Sequence, residues 1–356
     1  MVFDIQKVAV VLPSYKPDEK LPETVRGLCD AGFTDLCVVD DGGGTDFASV
    51  FEEIEKLPQV TVLRHDVNRG KGAALKTAFG WLSENRPDLL GVVTADGDGQ
   101  HLPADVLACA QEMCRTDGAV LGCRDFSGSE VPRRSRLGNR ITSFVFLAFC
   151  GLHIHDTQTG LRAIPARFLP ALTQIRGDRY EYETNMLLEA KRIGMPMTEK
   201  QITTVYLDDN SRSHFHPFRD SIRIYSLILK YLSSSLCASL TDLVAFYIFL
   251  RLFGPHLGLW RVLVCTVLAR LVSGVVNYAI NRHIVFSASR FSGNTLLRYF
   301  ALALPVMACS IGLVSLLENI FGAEYALVTT VIKMIVDTFL FFLTFRIQRE
   351  WVFRKK

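Results

Sequence analysis

Past residue 225 the chain has few ways to fold. Four stretches, at about 229–250, 259–280, 299–320 and 326–346, are apolar almost throughout. At 1.5 Å per helical residue each is long enough to cross the hydrocarbon core of a bilayer. The stretches also repeat. LKYL at 229–232 precedes the first pair and LRYF at 297–300 the second, while NRHIVF at 281–286 closes the first pair and QREWVF at 348–353 the second. The offset is about 67 residues, as in two helical hairpins in parallel repeat.

Basic residues orient these hairpins. Arg282, Arg290 and Arg298 follow the second stretch, and Arg346, Arg349, Arg354, Lys355 and Lys356 follow the fourth. Arg251 and Arg261 alone lie on the other side. The excess on one side predicts cytoplasmic termini and an inner-membrane protein with four crossings. Asp242, Arg270, Glu318, Lys333 and Asp337 fall within or near the apolar stretches. Ionisable groups there are costly, and with both signs present the expected use is pairing between helices. Arg270 and Asp337 occupy equivalent places in the two repeats and can pair across the pseudo-axis.

The first 225 residues differ in kind. Charge is dense, and short Val- and Leu-rich runs alternate with polar helical stretches. Runs at 8–12, 36–39, 60–63, 90–94 and 119–122 are expected as strands; 19–31, 47–56, 72–85 and 104–115 are expected as helices. Strands without apolar–polar alternation, separated by helices, predict a mostly parallel sheet covered on both faces, an α/β Rossmann-like domain. The net charge of +3 is too small to imply nucleic acid. Nine cysteines occur singly with no CxxC spacing, which fits reduced thiols and argues against a disulfide framework or a zinc site. The short apolar run near the N-terminus does not make a signal peptide, so the first half is expected in the cytoplasm.

In doubly wound sheets ligands sit beyond the carboxyl ends of the strands. Polar residues gather there: Pro13 to Tyr15, Asp40 with Asp41, and Asp96 to Gln100. No GxGxxG follows the first strand, and Gly70-Lys71-Gly72 lacks the spacing of a phosphate loop. What remains for holding a diphosphate is a divalent cation on carboxylates. In GVVTADGDGQHLP, residues 91–103, Asp96 and Asp98 can aim oxygens at one hard cation, with Gln100 as a neutral ligand. The competing reading is a strand-to-helix turn in which Asp98 or Gln100 only caps the helix after Pro103.

PSY at 13–15, VVDDG at 38–42, NRGKGAAL at 68–75 and the acidic stretch together resemble family 2 glycosyltransferases of the GT-A fold. The nearest branch is the dolichol-phosphate mannosyltransferase and bactoprenol glucosyltransferase group. The resemblance implies that Asp98 and Gln100 ligate Mg²⁺ or Mn²⁺ on the donor diphosphate and that Asp96 contacts the donor. It implies that Pro13, Tyr15, Val39 and Asp41 line the base and ribose pocket, with Lys71 and Gly97 also at the nucleotide sugar. Two departures touch that pocket. Pro13-Ser14-Tyr15-Lys16-Pro17 lacks the usual glutamate of PxYNE, and Asp40 to Asp46 is one residue longer than DDGSxD. The second half resembles the GtrA-like membrane family through its NRxxVF-type helix ends.

Arg124, Arg133, Arg134, Arg136 and Arg140 cluster ahead of an apolar stretch at 141–152. A basic turn joined to such a stretch reads as a membrane-surface element, and planar guanidinium forks suit a phosphate. DTQTGLRA at 156–163, YEYETN at 180–185 and the polar loop 208–225 match the polyprenyl-phosphate branch, and the loop is implied to offer Arg212. A phosphate monoester needs no base, only cations that align it, whereas a sugar hydroxyl would need one. For a hydroxyl acceptor the candidates are Glu181 or Glu183, whose other reading is the acidic first turn of a helix.

The expected organisation is a catalytic domain over 1–225 and a membrane domain over 226–356. The expected reaction moves a UDP- or GDP-linked hexose onto polyprenyl phosphate with inversion, through Asp96, Asp98, Arg124 and Arg212, in a possible homo-oligomer. Alternatives are a glycolipid synthase with a hydroxyl acceptor, or a lipid-sugar flippase module fused to its glycosyltransferase.

Overall fold

The computed structural model describes residues 2–125, 136, 139–140, 142–143, 146–147, 153–190, 192–203, 226–252, 261–285, 293–321 and 326–353. The chain divides into two compact units: Met1–Phe146 with His153–Ile224, and Leu147–Leu152 with Tyr225–Lys356.

In the first unit, strands β1 (Val8–Ser14), β2 (Leu36–Asp40), β3 (Val60–Arg64), β4 (Gly91–Thr94), β5 (Ala119–Arg124), β6 (Arg162–Pro165) and β7 (Met197–Ile202) form one sheet. Their order is β3-β2-β1-β4-β6-β5-β7. All neighbours run parallel except β6, which is antiparallel to both β4 and β5. The five expected strands are present. The two beyond them come from stretches whose sequence shows little strand pattern: RAIP is four residues long, and MTEKQI is largely polar.

The lack of alternation in the strands has a direct cause. Val8, Val10 and Leu12 pack on one face against helices α1 (Lys20–Asp30) and α4 (Pro103–Thr116), with α2 (Ala48–Ile54) alongside. Ala9 and Val11 pack on the other face against α3 (Lys71–Asn85), where α5 (Leu169–Thr173) and α6 (Glu181–Ala190) complete the core. Both faces are buried, so both side-chain sets must be apolar. The register pairs Ser14 with Asp40 and Val11 with Thr94, so the segments after β1, β2 and β4 emerge along one edge of the sheet. The chain order reverses between β1 and β4, which makes that edge the expected ligand crevice.

The second unit holds helices α7 (Ser226–Leu252), α8 (Arg261–Ile280), α9 (Gly293–Phe321) and α10 (Ala326–Ile347). They coincide with the four expected stretches, extended at α9 by six residues ahead of residue 299. Among the described residues one span, Leu229–Phe249, is by itself long and apolar enough to cross a membrane. Both hairpins close in a turn of π-helix, Asn281–Val285 in the first and Gln348–Val352 in the second. Asn281 Nδ2 donates to Gln348 Oε1 at 3.1 Å, across 67 residues of sequence. The sequence repeat therefore places equivalent residues in contact. Asn277 Oδ1 accepts from Asn281 at 2.7 Å and from the Tyr299 hydroxyl at 2.8 Å. Around this polar seam Leu232, Leu236, Leu240, Ile335 and Phe339 face outward, each about half exposed or more, while Asn281 and Ser234 are buried. Apolar outside and polar inside is the inverse of a water-soluble bundle.

The expected Arg270–Asp337 pair is corrected. Arg270 Nε lies 3.6 Å from Asp242 within the first hairpin, and Asp337 accepts from Ser310 Oγ at 2.6 Å within the second. Asp242 also accepts from Ser273 Oγ at 3.0 Å. In each hairpin a serine on one helix thus answers an aspartate on the other, so the acidic groups tie helices inside a repeat. The side chains of Glu318 and Lys333 lie outside the described residues.

Candidate active site

Asp96 follows β4 directly, and its carboxylate meets Lys71 Nζ, from the first turn of α3, at 2.7 Å. The same ammonium lies 3.1 Å from Glu183 in the first turn of α6. Three separated motifs, NRGKG, the acidic stretch and YEYETN, thus meet at one cation. Burial alone would push the Asp96 carboxyl up, but the Lys71 charge and the nearby His101 outweigh it and hold Asp96 well below the usual carboxylate range. Burial opposes the charge on Lys71, yet Asp96 and Glu183 raise it above an ordinary lysine. The pair stays ionised at any physiological pH.

The surroundings fix this constellation. A Cβ on Gly160 would stand 2.4 Å from Asp96 Oδ2 and 3.0 Å from Lys71 Nζ, so the DTQTG turn passes where only glycine fits. Thr94 Oγ1 donates to the Gly160 carbonyl at 2.7 Å. The Arg162 side chain, 1% exposed, gives Nε to the Thr159 carbonyl at 3.1 Å and Nη1 to the Glu183 carbonyl at 2.6 Å. A buried guanidinium whose hydrogen bonds go to two carbonyls and to Met186 Sδ at 3.6 Å is expensive, and here it stitches the turn to the start of α6. His101 is buried with both ring nitrogens lacking a hydrogen bond, Nε2 standing 3.5 Å from Asp96.

Asp98 differs from Asp96. It is exposed, its Oδ1 accepts the Gln100 N–H at 3.0 Å, and no side-chain cation pairs with it among the described residues. Partial burial and the Asp96 charge raise its carboxyl above the ordinary value. A carboxylate pressed by a like charge and lacking a counter-charge fits a divalent cation, which in such sites takes one or two protein oxygens and fills the rest from phosphate and water. Gln100, two residues on, is partly buried and gives its main-chain N–H to Asp98. Among the described residues no group of three His, Cys, Asp or Glu could hold a metal alone. The turn reading survives in part, since the Asp98–Gln100 bond is a turn contact.

The residues expected at the base and ribose are placed unevenly. Pro13 and Tyr15 are half-buried at the end of β1, and Gly97 packs against Leu21, which a Cβ would meet at 2.7 Å. The Val39 side chain is fully buried on the α3 face, so the expectation that it lines the pocket is corrected: only its main chain can face a ligand. Asp41 is 3% exposed and holds three donors: the Arg69 N–H at 2.9 Å, the Gly70 N–H at 2.7 Å and His65 Nδ1 at 2.7 Å. It latches the loop before Lys71 onto β2.

A second site opens beside β5. A cavity of about 690 Å³ is lined by Arg124, Asp125, Arg136, Arg140, His155 and Glu199 among others. Arg124 forks onto the buried Asp156, Nε to Oδ2 at 2.7 Å and Nη2 to Oδ1 at 3.2 Å. Glu199 takes the His155 N–H and Nδ1, each at 2.6 Å. Arg133, Arg134 and Arg212 lie outside the described residues. Glu183, Arg162, Asp156 and the His155–Glu199 pair were not given these parts by the sequence, although YEYETN and DTQTG were singled out as motifs.

Residues 9–171 match the family model described as glycosyl transferase family 2, and residues 230–353 match GtrA/DPMS, transmembrane domain. An undecaprenyl-phosphate mannosyltransferase of Micrococcus luteus is 31% identical over 56% of this chain and 84% of its own. A UDP-N-acetylglucosamine–dolichyl-phosphate N-acetylglucosaminyltransferase of Methanococcus voltae is 27% identical over 56% of this chain and 86% of its own. Among solved structures, mannosyl-3-phosphoglycerate synthase of Rubrobacter xylanophilus aligns with a TM-score of 0.48 at 15% identity, over 63% of this chain and 72% of that one. The chain belongs to glycosyl transferase family 2 and is a glycosyltransferase whose second half is a GtrA/DPMS transmembrane domain.

Proposed function

We propose that the enzyme transfers a hexose from a nucleotide sugar to polyprenyl phosphate at the cytoplasmic face of the membrane, with inversion at the anomeric carbon. The observation that carries this reading is the arginine-lined cavity at the end of β5. Arg124, Arg136 and Arg140 converge there, and guanidinium forks match phosphate oxygens. The relatives named for dolichyl and undecaprenyl phosphate supply the lipid class.

A phosphate oxygen attacks the anomeric carbon, that bond forms, and the bond to the nucleoside diphosphate breaks. Arginines orient the nucleophile, while Lys71 keeps Asp96 ionised and aimed at the donor. Asp98 and Gln100 would hold Mg²⁺ or Mn²⁺, which when bound supplies charge to the leaving diphosphate. Pro13, Tyr15, Asp41 and Gly97 border the nucleotide, Asp41 by fixing the loop that carries Lys71. The hydroxyl-acceptor alternative loses its base: Glu183 faces Lys71, and Glu181 Oε1 accepts the main-chain N–H groups of Asp178 and Arg179. Arg133, Arg134 and Arg212 complete the acceptor set in this reading.

Residues 1–225 are the catalytic domain and 226–356 the membrane domain. The proposed topology is four crossings with cytoplasmic termini, supported by helices of 27, 20, 29 and 22 residues, their outward apolar side chains and the placement of the arginines. The test is turnover of the purified full chain in nanodiscs with undecaprenyl phosphate against UDP-glucose, UDP-N-acetylglucosamine and GDP-mannose. A lipid-phosphate sugar made with one donor, and lost in EDTA, is expected. Transfer only to a lipid hydroxyl would refute the reading.

A further inference from the structure

His155 is held more firmly than an exposed residue ordinarily is. Its N–H and ring Nδ1 both bond Glu199, its carbonyl accepts from Asn139 Nδ2, and Ser143 Oγ reaches the same carbonyl at 3.2 Å. Main chain and ring are thus clamped from β7 on one side and from the segment carrying Arg136 and Arg140 on the other. The His155 side chain is nevertheless 65% exposed, and it lines the arginine cavity. Among the described residues its Nε2 has no hydrogen-bond partner, and a Glu-oriented imidazole with that nitrogen open is the arrangement that accepts a proton.

We propose that the Glu199-oriented imidazole of His155 takes the last proton of a phosphate monoester acceptor in this cavity. The inference rests on the polyprenyl-phosphate reading above. An alkyl phosphate has its second ionisation near pH 6, so near neutrality part of the acceptor arrives as the monoanion. The P–OH proton passes to Nε2, the oxygen it leaves becomes the nucleophile, and the imidazolium remains paired with Glu199. The net charge of the site is unchanged by this step, but a neutral ring beside a monoanion becomes a cation beside a dianion.

The charges facing the ring explain why it is useful there. Arg124, Arg136 and Arg140 are offset by Asp125 and Glu199 within the cavity lining, and the Arg124 fork is already on Asp156. His153 stacks edge-on to His155 at 4.6 Å. Among the described residues the lining arginines therefore leave little surplus positive charge for a dianion, and the imidazolium adds one as the dianion forms.

The experiment measures kcat of the full chain in nanodiscs at saturating undecaprenyl phosphate from pH 4.5 to 8.5, for wild type, His155→Gln and Glu199→Gln. Binding of the nucleotide sugar by each variant reports folding and the donor site. Loss of the neighbouring cation should raise the acid limb by roughly one pH unit. His155→Gln is then about eightfold slower at pH 4.5, and returns to within about twofold of wild type at pH 8.5, where the bound acceptor is a dianion in either protein. Glu199→Gln should shift the limb in the same direction by less. An equal loss at every pH would make His155 a structural residue and overturn the proposal, as would no loss at any pH. Wild-type protein that binds nucleotide sugar yet makes no lipid-phosphate sugar would overturn the acceptor reading itself, and this inference with it.

Discussion

Gly160→Ala adds one methyl group against the Asp96 carboxylate. The new Cβ would sit 2.4 Å from Asp96 Oδ2, against 3.4 Å or more for ordinary contact, so the carboxylate must retreat by about 1 Å. Lys71 Nζ, 3.0 Å from the same point, must give as well, and its 2.7 Å contact with Asp96 lengthens or turns. A displacement of about 1 Å at a reacting centre costs on the order of a hundredfold, or about 2.7 kcal/mol of barrier. Gly160 has no left-handed backbone angle, so the alanine imposes no main-chain strain. The atoms it strikes are side-chain ends able to move, and the fold should lose little. The expected result is kcat/KM down about a hundredfold with a melting temperature within roughly 4 °C of wild type. Turnover and differential scanning calorimetry on the same preparation decide it. Unchanged turnover would show that Asp96 does not act at the donor, and a collapse in melting temperature would show that the glycine serves the fold instead.

Asp98→Asn should abolish transfer yet stabilise the ligand-free protein. A carboxyl raised above its unfolded value binds its proton more tightly when folded, so stability falls as pH rises from the unfolded value through the folded one, and removing the charge relieves that loss at pH 7. Melting curves at pH 7 with and without Mg²⁺ and nucleotide should show the rise on ligand addition in wild type only. Asp41→Ala leaves two N–H groups and His65 without their acceptor and should cost about 3 kcal/mol, roughly 6–12 °C of melting temperature in calorimetry. A double-mutant cycle of Asn281→Leu and Gln348→Leu, followed by unfolding in detergent, should give a coupling of about 0.5–1.5 kcal/mol. Zero coupling would mean that the amides do not join the hairpins.

Much of the fold was legible because burial on both sheet faces forces apolar runs, and those runs show plainly in β1 to β5. β6 was not, because four residues that begin with a buried arginine and end in a proline carry no strand signature. β7 hides for another reason: its polar residues lie mostly half-buried, away from the core that dictates composition. The position of Asp96 and Asp98 just past the end of a strand was legible from the run of apolar residues before them. Their partners were less so, since Lys71 and Glu183 meet through tertiary packing 112 residues apart, and a pattern along the chain says nothing of such a meeting. Val39 shows the opposite failure, where a residue at a matching motif position keeps its side chain wholly in the core. Arg270 and Asp337 were matched by repeat position and opposite sign, but each found a nearer partner on the adjacent helix of its own hairpin.

The amide pair at the two π-turns bears on how a duplicated chain can close on itself. When two copies of a segment meet at equivalent positions, the residue at the meeting point must be able to bond to its own kind. A carboxylate or guanidinium cannot, because like faces like. A carboxamide can, since each copy brings one donor and one acceptor group. Asn281 and Gln348 keep that self-complementary chemistry although their side chains now differ by a methylene. A single hairpin carrying one such amide has what it needs to associate with a second copy of itself, and fusing the two in one chain makes that association obligatory.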